Sequence, residues 1–148
     1  MPTILLIEDD ELFRTTLAEA LASQGYTVTQ AEDGVEGVKQ FQAAPTDLVL
    51  TDIVMPNQEG IATVRALRQI SATVGIIAMS GGFAKDAPLY LKLAGGLGAD
   101  RTLQKPFPLP TLLEAVQEVL ALSGKPRPRQ AASGRATLPP PPPKEGWK

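Results

Sequence analysis

The chain has 148 residues, of which 43% are hydrophobic and 20% charged: enough apolar material for one core, and too short for two ordinary domains. It contains neither cysteine nor histidine. This excludes disulfide frameworks, thiol nucleophiles, Cys/His metal centres, Ser-His-Asp catalysis and a phosphohistidine-donor role, and leaves carboxylates, lysine, hydroxyls and backbone amides. The net charge of −2 hides an acidic body, with 15 acidic and 8 basic side chains in residues 1–123, and a basic end, with 1 and 6 in residues 124–148; an acidic body predicts no direct nucleic-acid binding, which needs clustered Lys and Arg.

The first element is the β-rich run Thr3–Ile7, stopped by Glu8-Asp9-Asp10. It reads as a strand buried on both faces. The run is too short for a signal segment or a membrane span, so a cytoplasmic protein is expected. Phe13, Leu17, Ala20 and Leu21 then recur at helical spacing up to Gly25. Tyr26–Gln30 alternates as a second strand, and Val35, Val38 and Phe41 mark a short helix before Pro45. Asp47–Thr51 is a third strand, followed by a helix around Ile61–Ile70. Val74–Met79 reads as a fourth strand, with a helix over Pro88–Leu97, where Leu89, Leu93 and Leu97 lie four apart. A fifth strand fits Arg101–Gln104, and a last helix fits Pro110–Leu122, with Leu112, Leu113, Val116 and Leu120 on one face.

Strands alternating with helices through short connections predict right-handed crossovers and a parallel sheet covered on both faces. The expected fold is α/β, a flavodoxin-like, doubly wound, five-stranded (βα)5 sheet of order 2-1-3-4-5. The folded body is expected over residues 1–123. From Gly124 no apolar period remains, and five prolines run from Pro139 to Pro143. A disordered, basic, proline-rich tail is therefore expected over 124–148.

In such a sheet ligands gather at the carboxyl ends of the strands. The polar residues there are Glu8, Asp9 and Asp10 after the first strand, Asp52 after the third, Ser80 after the fourth and Lys105-Pro106 after the fifth. Clustered carboxylates repel unless a proton or a cation sits between them. A set of oxygen donors without His or Cys suits Mg²⁺.

These residues fall in strings that resemble the response-regulator receiver domain of two-component signalling. The strings are Ile4-Leu-Leu-Ile-Glu-Asp-Asp10, Ala31-Glu-Asp-Gly34, Leu48-Val-Leu-Thr-Asp-Ile-Val-Met-Pro56 with Gly60, Ile76-Ile-Ala-Met-Ser80, Gly98-Ala-Asp100 and Lys105-Pro-Phe107. The resemblance implies that Asp52 is the phosphoacceptor, taking a phosphoryl group from a sensor histidine kinase or a histidine phosphotransfer protein. It implies that Glu8, Asp9, Asp52 and the Val54 backbone carbonyl hold Mg²⁺, Asp9 directly and Glu8 through water. Ser80 matches the hydroxyl that binds the phosphoryl oxygen, Lys105 the lysine that pairs with Asp52 and then with its phosphate, and Pro106 the family's cis proline. Asp10 is left to cap the first helix. The implied protein is a phosphoacceptor that signals to a downstream protein target by conformational change, not a turnover enzyme.

Two positions depart from the family pattern. The aromatic residue often found three places before the lysine is Thr102 here, and the segment after Ser80 is rich in Gly and Ala. Three rival readings stand beside this one. An aspartyl-phosphate phosphatase of the haloacid-dehalogenase type needs a second Asp two places after Asp52, where Val54 stands. A non-phosphorylated receiver-like binding module has no need of the Glu8, Asp9, Asp52, Ser80 and Lys105 set. The third reading is a receiver portion of a longer regulator or hybrid kinase.

The resemblance also carries a kinetic expectation. In fast-hydrolysing receivers, polar side chains two places after the phosphoacceptor and two after the hydroxyl residue orient the attacking water. Val54 and Gly82 occupy those places and offer no side-chain hydrogen bond. The Asp52 phosphate should therefore be long-lived. Val54→Asn should speed phosphate release about tenfold, equivalent to roughly 1.4 kcal/mol in the barrier, as followed by phosphate loss from the purified phosphoprotein.

Overall fold

The computed structural model describes residues 2–53, 59–81, 92, 95–96 and 98–122. The residues 124–148, Val54, Gly82 and most of the helix expected over Pro88–Leu97 lie outside the described set. Five strands, β1 (Thr3–Ile7), β2 (Thr27–Ala31), β3 (Leu48–Asp52), β4 (Gly75–Ser80) and β5 (Arg101–Gln104), form one parallel sheet in the order β2-β1-β3-β4-β5. Among the described residues there are four helices: α1 (Glu11–Ser23), α2 (Gly34–Ala43), α3 (Glu59–Ile70) and α4 (Leu109–Leu122). The flavodoxin-like α/β expectation and its strand order hold.

Alternation along the strands divides the core in two. Ile4 and Leu6 of β1, Leu48 and Leu50 of β3, and Ile77 and Met79 of β4 pack with Leu17 and Leu21 of α1 and with Leu112, Ala115, Val116 and Val119 of α4. Their neighbours Leu5, Ile7, Val49, Ile76 and Ala78 face the other way, against Phe41 of α2 and Ile61, Val64 and Leu67 of α3. The period of two along each strand thus covers both sheet faces with helices. β2 is an edge strand and mostly exposed, which is why its sequence alternates instead of running apolar.

Several boundaries move by one residue. β2 runs from Thr27 to Ala31, leaving Tyr26 before the strand, and Asp52 and Ser80 are the last residues of β3 and β4 instead of lying just past them. Parallel pairing sets this register, joining Asp52 to Met79 and Ser80 to Gln104. In α2 the buried face is Gly34, Gly37 and Phe41, while Val35 is 63% exposed. A Cβ on Gly37 would come within 2.3 Å of the Ile7 side chain, so the helix seats on glycine, not on Val35. In α4, Ala115 and Val119 are buried with Leu112 and Val116, and Leu113 and Leu120 are only partly buried.

Local chemistry fixes the helix ends nearest the sheet's functional edge. Asp10 caps α1, its carboxylate accepting from the Phe13 amide at 3.1 Å, and Asp33 caps α2 through the Glu36 amide at 2.8 Å. Gly25 follows α1 at φ +98°, a left-handed conformation that glycine adopts without strain. Gly60, in the first turn of α3, lies against the end of β3: a Cβ there would fall 2.1 Å from Ile53 Cα and 2.6 Å from the Asp52 carbonyl oxygen. Only a glycine lets α3 pack this closely behind Asp52. Gly60→Ala should destabilise the fold by about 2–3 kcal/mol, measured by urea unfolding, because backbone must move to admit the methyl group.

Candidate phosphoacceptor site

The strand order reverses at β1, between β2 and β3, and the site lies at the carboxyl ends of β1 and β3. Glu8, immediately after β1, is 1% exposed, and its amide donates to the Ala31 carbonyl of β2 at 3.0 Å. Asp9 is exposed. Asp52 closes β3 and is buried. Carboxylate oxygens of Glu8, Asp9 and Asp52 all lie within 4.8 Å of one another.

Lys105 enters from the end of β5, its amide donating to the Ser80 carbonyl at 2.7 Å. Its Nζ is 2.7 Å from Glu8 Oε1 and 3.4 Å from Asp52 Oδ2. The ammonium therefore bridges two of the three carboxylates and sits closer to Glu8 than to Asp52. The Lys105–Pro106 bond is cis. Ser80, at the end of β4, is fully buried, and its Oγ has no hydrogen-bond partner among the described residues. A buried hydroxyl without a partner is costly, and a ligand oxygen beside it would remove that cost.

The residues named from the sequence, Glu8, Asp9, Asp52, Ser80 and Lys105, thus meet at one edge, while Val54 lies outside the described residues. Asp10 stands apart from the carboxylate group as the α1 cap, although its amide donates to Glu8 Oε2 at 3.1 Å. Thr102 lies in β5 opposite Ala78 and presents no ring.

Two neighbours went unnoticed in the sequence. Arg14 Nη1 donates to the Glu8 carbonyl at 2.7 Å, and its Nε donates to Gln30 Oε1 at 3.2 Å. The Phe13 ring faces Lys105 Nζ at 4.2 Å. The signal for both was their place in the first turn after the acidic run, but helical periodicity assigns Phe13 to the core alone.

Burial first, and the adjacent Asp52 charge second, push the Glu8 carboxyl up from its ordinary 4.5 to about 7, against the opposing pull of Lys105. Among the described residues, the Lys105 ammonium alone pairs with these carboxylates, and it does not offset them all. The residues suit a divalent cation: all donors are oxygens, and a cation beside Glu8 and Asp52 relieves the repulsion that raises Glu8.

Residues 4–117 match the family model of the response regulator receiver domain, and the chain belongs to that family. It is a phosphoacceptor receiver of two-component signalling. It is 34% identical over 117 residues to the chemotaxis protein CheY of Halobacterium salinarum, covering 79% of this chain and 95% of that one. It is 37% identical over 123 residues to the sensor kinase CckA of Brucella abortus, covering 80% of this chain and only 12% of the kinase. Among solved structures, the response regulator protein TrrA of Thermotoga maritima, in complex with Mg²⁺–BeF, matches with a TM-score of 0.71 at 29% identity, over 80% of this chain and 99% of that one. No described helix is long and apolar enough to cross a membrane.

The raised Glu8 carboxyl has a consequence for stability. Below pH 4.5 the group is protonated in folded and unfolded chains alike, but above about 7 it must ionise inside a buried acidic site. Cation-free protein should therefore lose stability as pH rises from 4.5 through about 7, by roughly 3 kcal/mol, because the folded state holds the proton more tightly. Thermal melting across that range should show the fall, and Glu8→Gln should flatten it.

Proposed function

We infer that Asp52 is the residue phosphorylated and that Mg²⁺ is the cation used. The observation that carries this reading is the convergence, at one sheet edge, of three carboxylates, the Lys105 ammonium and the unpartnered Ser80 hydroxyl. The Mg²⁺–BeF complex of the similar TrrA supports the choice of ion.

In this reading an Asp52 carboxylate oxygen attacks the phosphorus of a phosphohistidine on a sensor histidine kinase or a phosphotransfer protein. The P–N bond breaks, the imidazole leaves with the electron pair, and an acyl phosphate forms on Asp52. Asp9 would hold Mg²⁺ directly and Glu8 through water, with Asp52 and the Val54 carbonyl as the further protein ligands. When bound, the ion offsets the negative charge that the carboxylates and the phosphoryl oxygens bring together. Lys105 pairs with the phosphoryl group, and Ser80 donates its hydroxyl proton to a phosphoryl oxygen. Asp52 takes and loses one phosphoryl group without turning over a substrate. The altered edge is then read by a downstream protein, in the cytoplasm.

The receiver occupies residues 1–123 in this reading, with 124–148 as a basic, proline-rich tail. The likeness to a short part of CckA favours a second reading of the protein's organisation, in which the receiver serves a longer regulator or hybrid kinase. Both share the chemistry at Asp52.

Intact-mass measurement after incubation with acetyl phosphate and Mg²⁺ should show the gain of one phosphoryl group. Asp52→Asn should remove at least about 99% of labelling, because the amide that replaces the nucleophilic carboxylate is nearly isosteric but cannot form the acyl phosphate. EDTA should suppress labelling of the unaltered chain. Undiminished labelling of the Asn variant overturns the assignment of Asp52, and labelling indifferent to EDTA overturns the metal.

A further inference from the structure

Lys105 Nζ lies 2.7 Å from Glu8 and 3.4 Å from Asp52. The same atom lies over the Phe13 ring, 4.2 Å from its centroid. Phe107 meets that ring edge-on, with centroids 6.3 Å apart and planes at 74°. Phe13 and Phe107 also pack against the core cluster that contains Leu17, Leu112 and Val116. The ring's plane is thereby fixed by contacts independent of the lysine. A lysine stem is otherwise flexible and loses considerable rotamer freedom when its head is confined.

We propose that Phe13 is a positioning residue for the phosphoacceptor site: its ring face confines the Lys105 ammonium beside Asp52 through a cation–π contact. The proposal rests on the reading of Asp52 as phosphoacceptor. β5 offers no ring, since Thr102 stands where the family often has an aromatic, and the ring at the lysine comes from α1 instead. The attraction belongs to the ring quadrupole and not to apolar bulk. A leucine at position 13 would still fill space against the core but would not attract the cation, whereas a tyrosine would do both. This difference separates positioning from packing.

The test measures how fast acetyl phosphate with Mg²⁺ labels the full chain, unaltered and with Phe13→Leu or Phe13→Tyr. Leucine should slow labelling about fivefold, and tyrosine should stay within about twofold of the unaltered chain. In the proton NMR spectrum, the ring-current displacement of the Lys105 ε-methylene should vanish with leucine and persist with tyrosine. If leucine labels as fast as phenylalanine, or if leucine and tyrosine are slowed alike, the role of Phe13 is overturned while the phosphoacceptor reading stands. If the unaltered chain takes no phosphoryl group on Asp52, that reading falls and the proposal falls with it.

Discussion

The structure turns on a repulsion: Glu8 and Asp52 are buried beside each other, with Asp9 in reach, at the end of a sheet. Isolated buried carboxylates are strongly disfavoured, and like charges at this spacing compound the cost. Lys105 offsets part of it, yet Glu8 is still pushed to about 7. A site left this unbalanced is prepared for added positive charge. The same imbalance that costs the fold stability favours a cation, and through it an incoming phosphoryl group.

Much of the remaining architecture holds that imbalance in place. The two apolar faces of β1 and β3 anchor the strands between α1 and α4 on one side and α2 and α3 on the other. The strand ends then have little freedom to splay and relieve the repulsion. Gly60 lets α3 approach the backbone at Asp52 and Ile53, and Arg14 ties the Glu8 carbonyl to α1. The lysine arrives from the far edge of the sheet, carried by β5, with Ser80 of β4 between. Stability and chemistry meet in these few backbone positions.

The fold recurs in proteins of very different length. This chain covers nearly all of a chemotaxis protein and about one-eighth of a sensor kinase. A self-contained sheet with the site at one edge can be attached to other domains without disturbing the carboxylates.

The alternation of apolar runs and amphipathic stretches was sufficient to predict a parallel, doubly wound sheet, because strands buried on both faces leave continuous runs such as Ile4–Ile7 and Leu48–Leu50. The same sequence placed Glu8, Asp9, Asp52, Ser80 and Lys105 at strand ends, since the direction of a parallel sheet carries all of these ends to one edge. Distances between those ends were beyond it. The closer pairing of Lys105 with Glu8 than with Asp52, the burial of Glu8 beside an exposed Asp9, and the ring of Phe13 facing the ammonium depend on side chains 97, 53 and 92 positions apart or on opposite sides of one turn. Periodicity along a chain records which face a residue takes. Only the packing of separate elements decides which charge stands next to which.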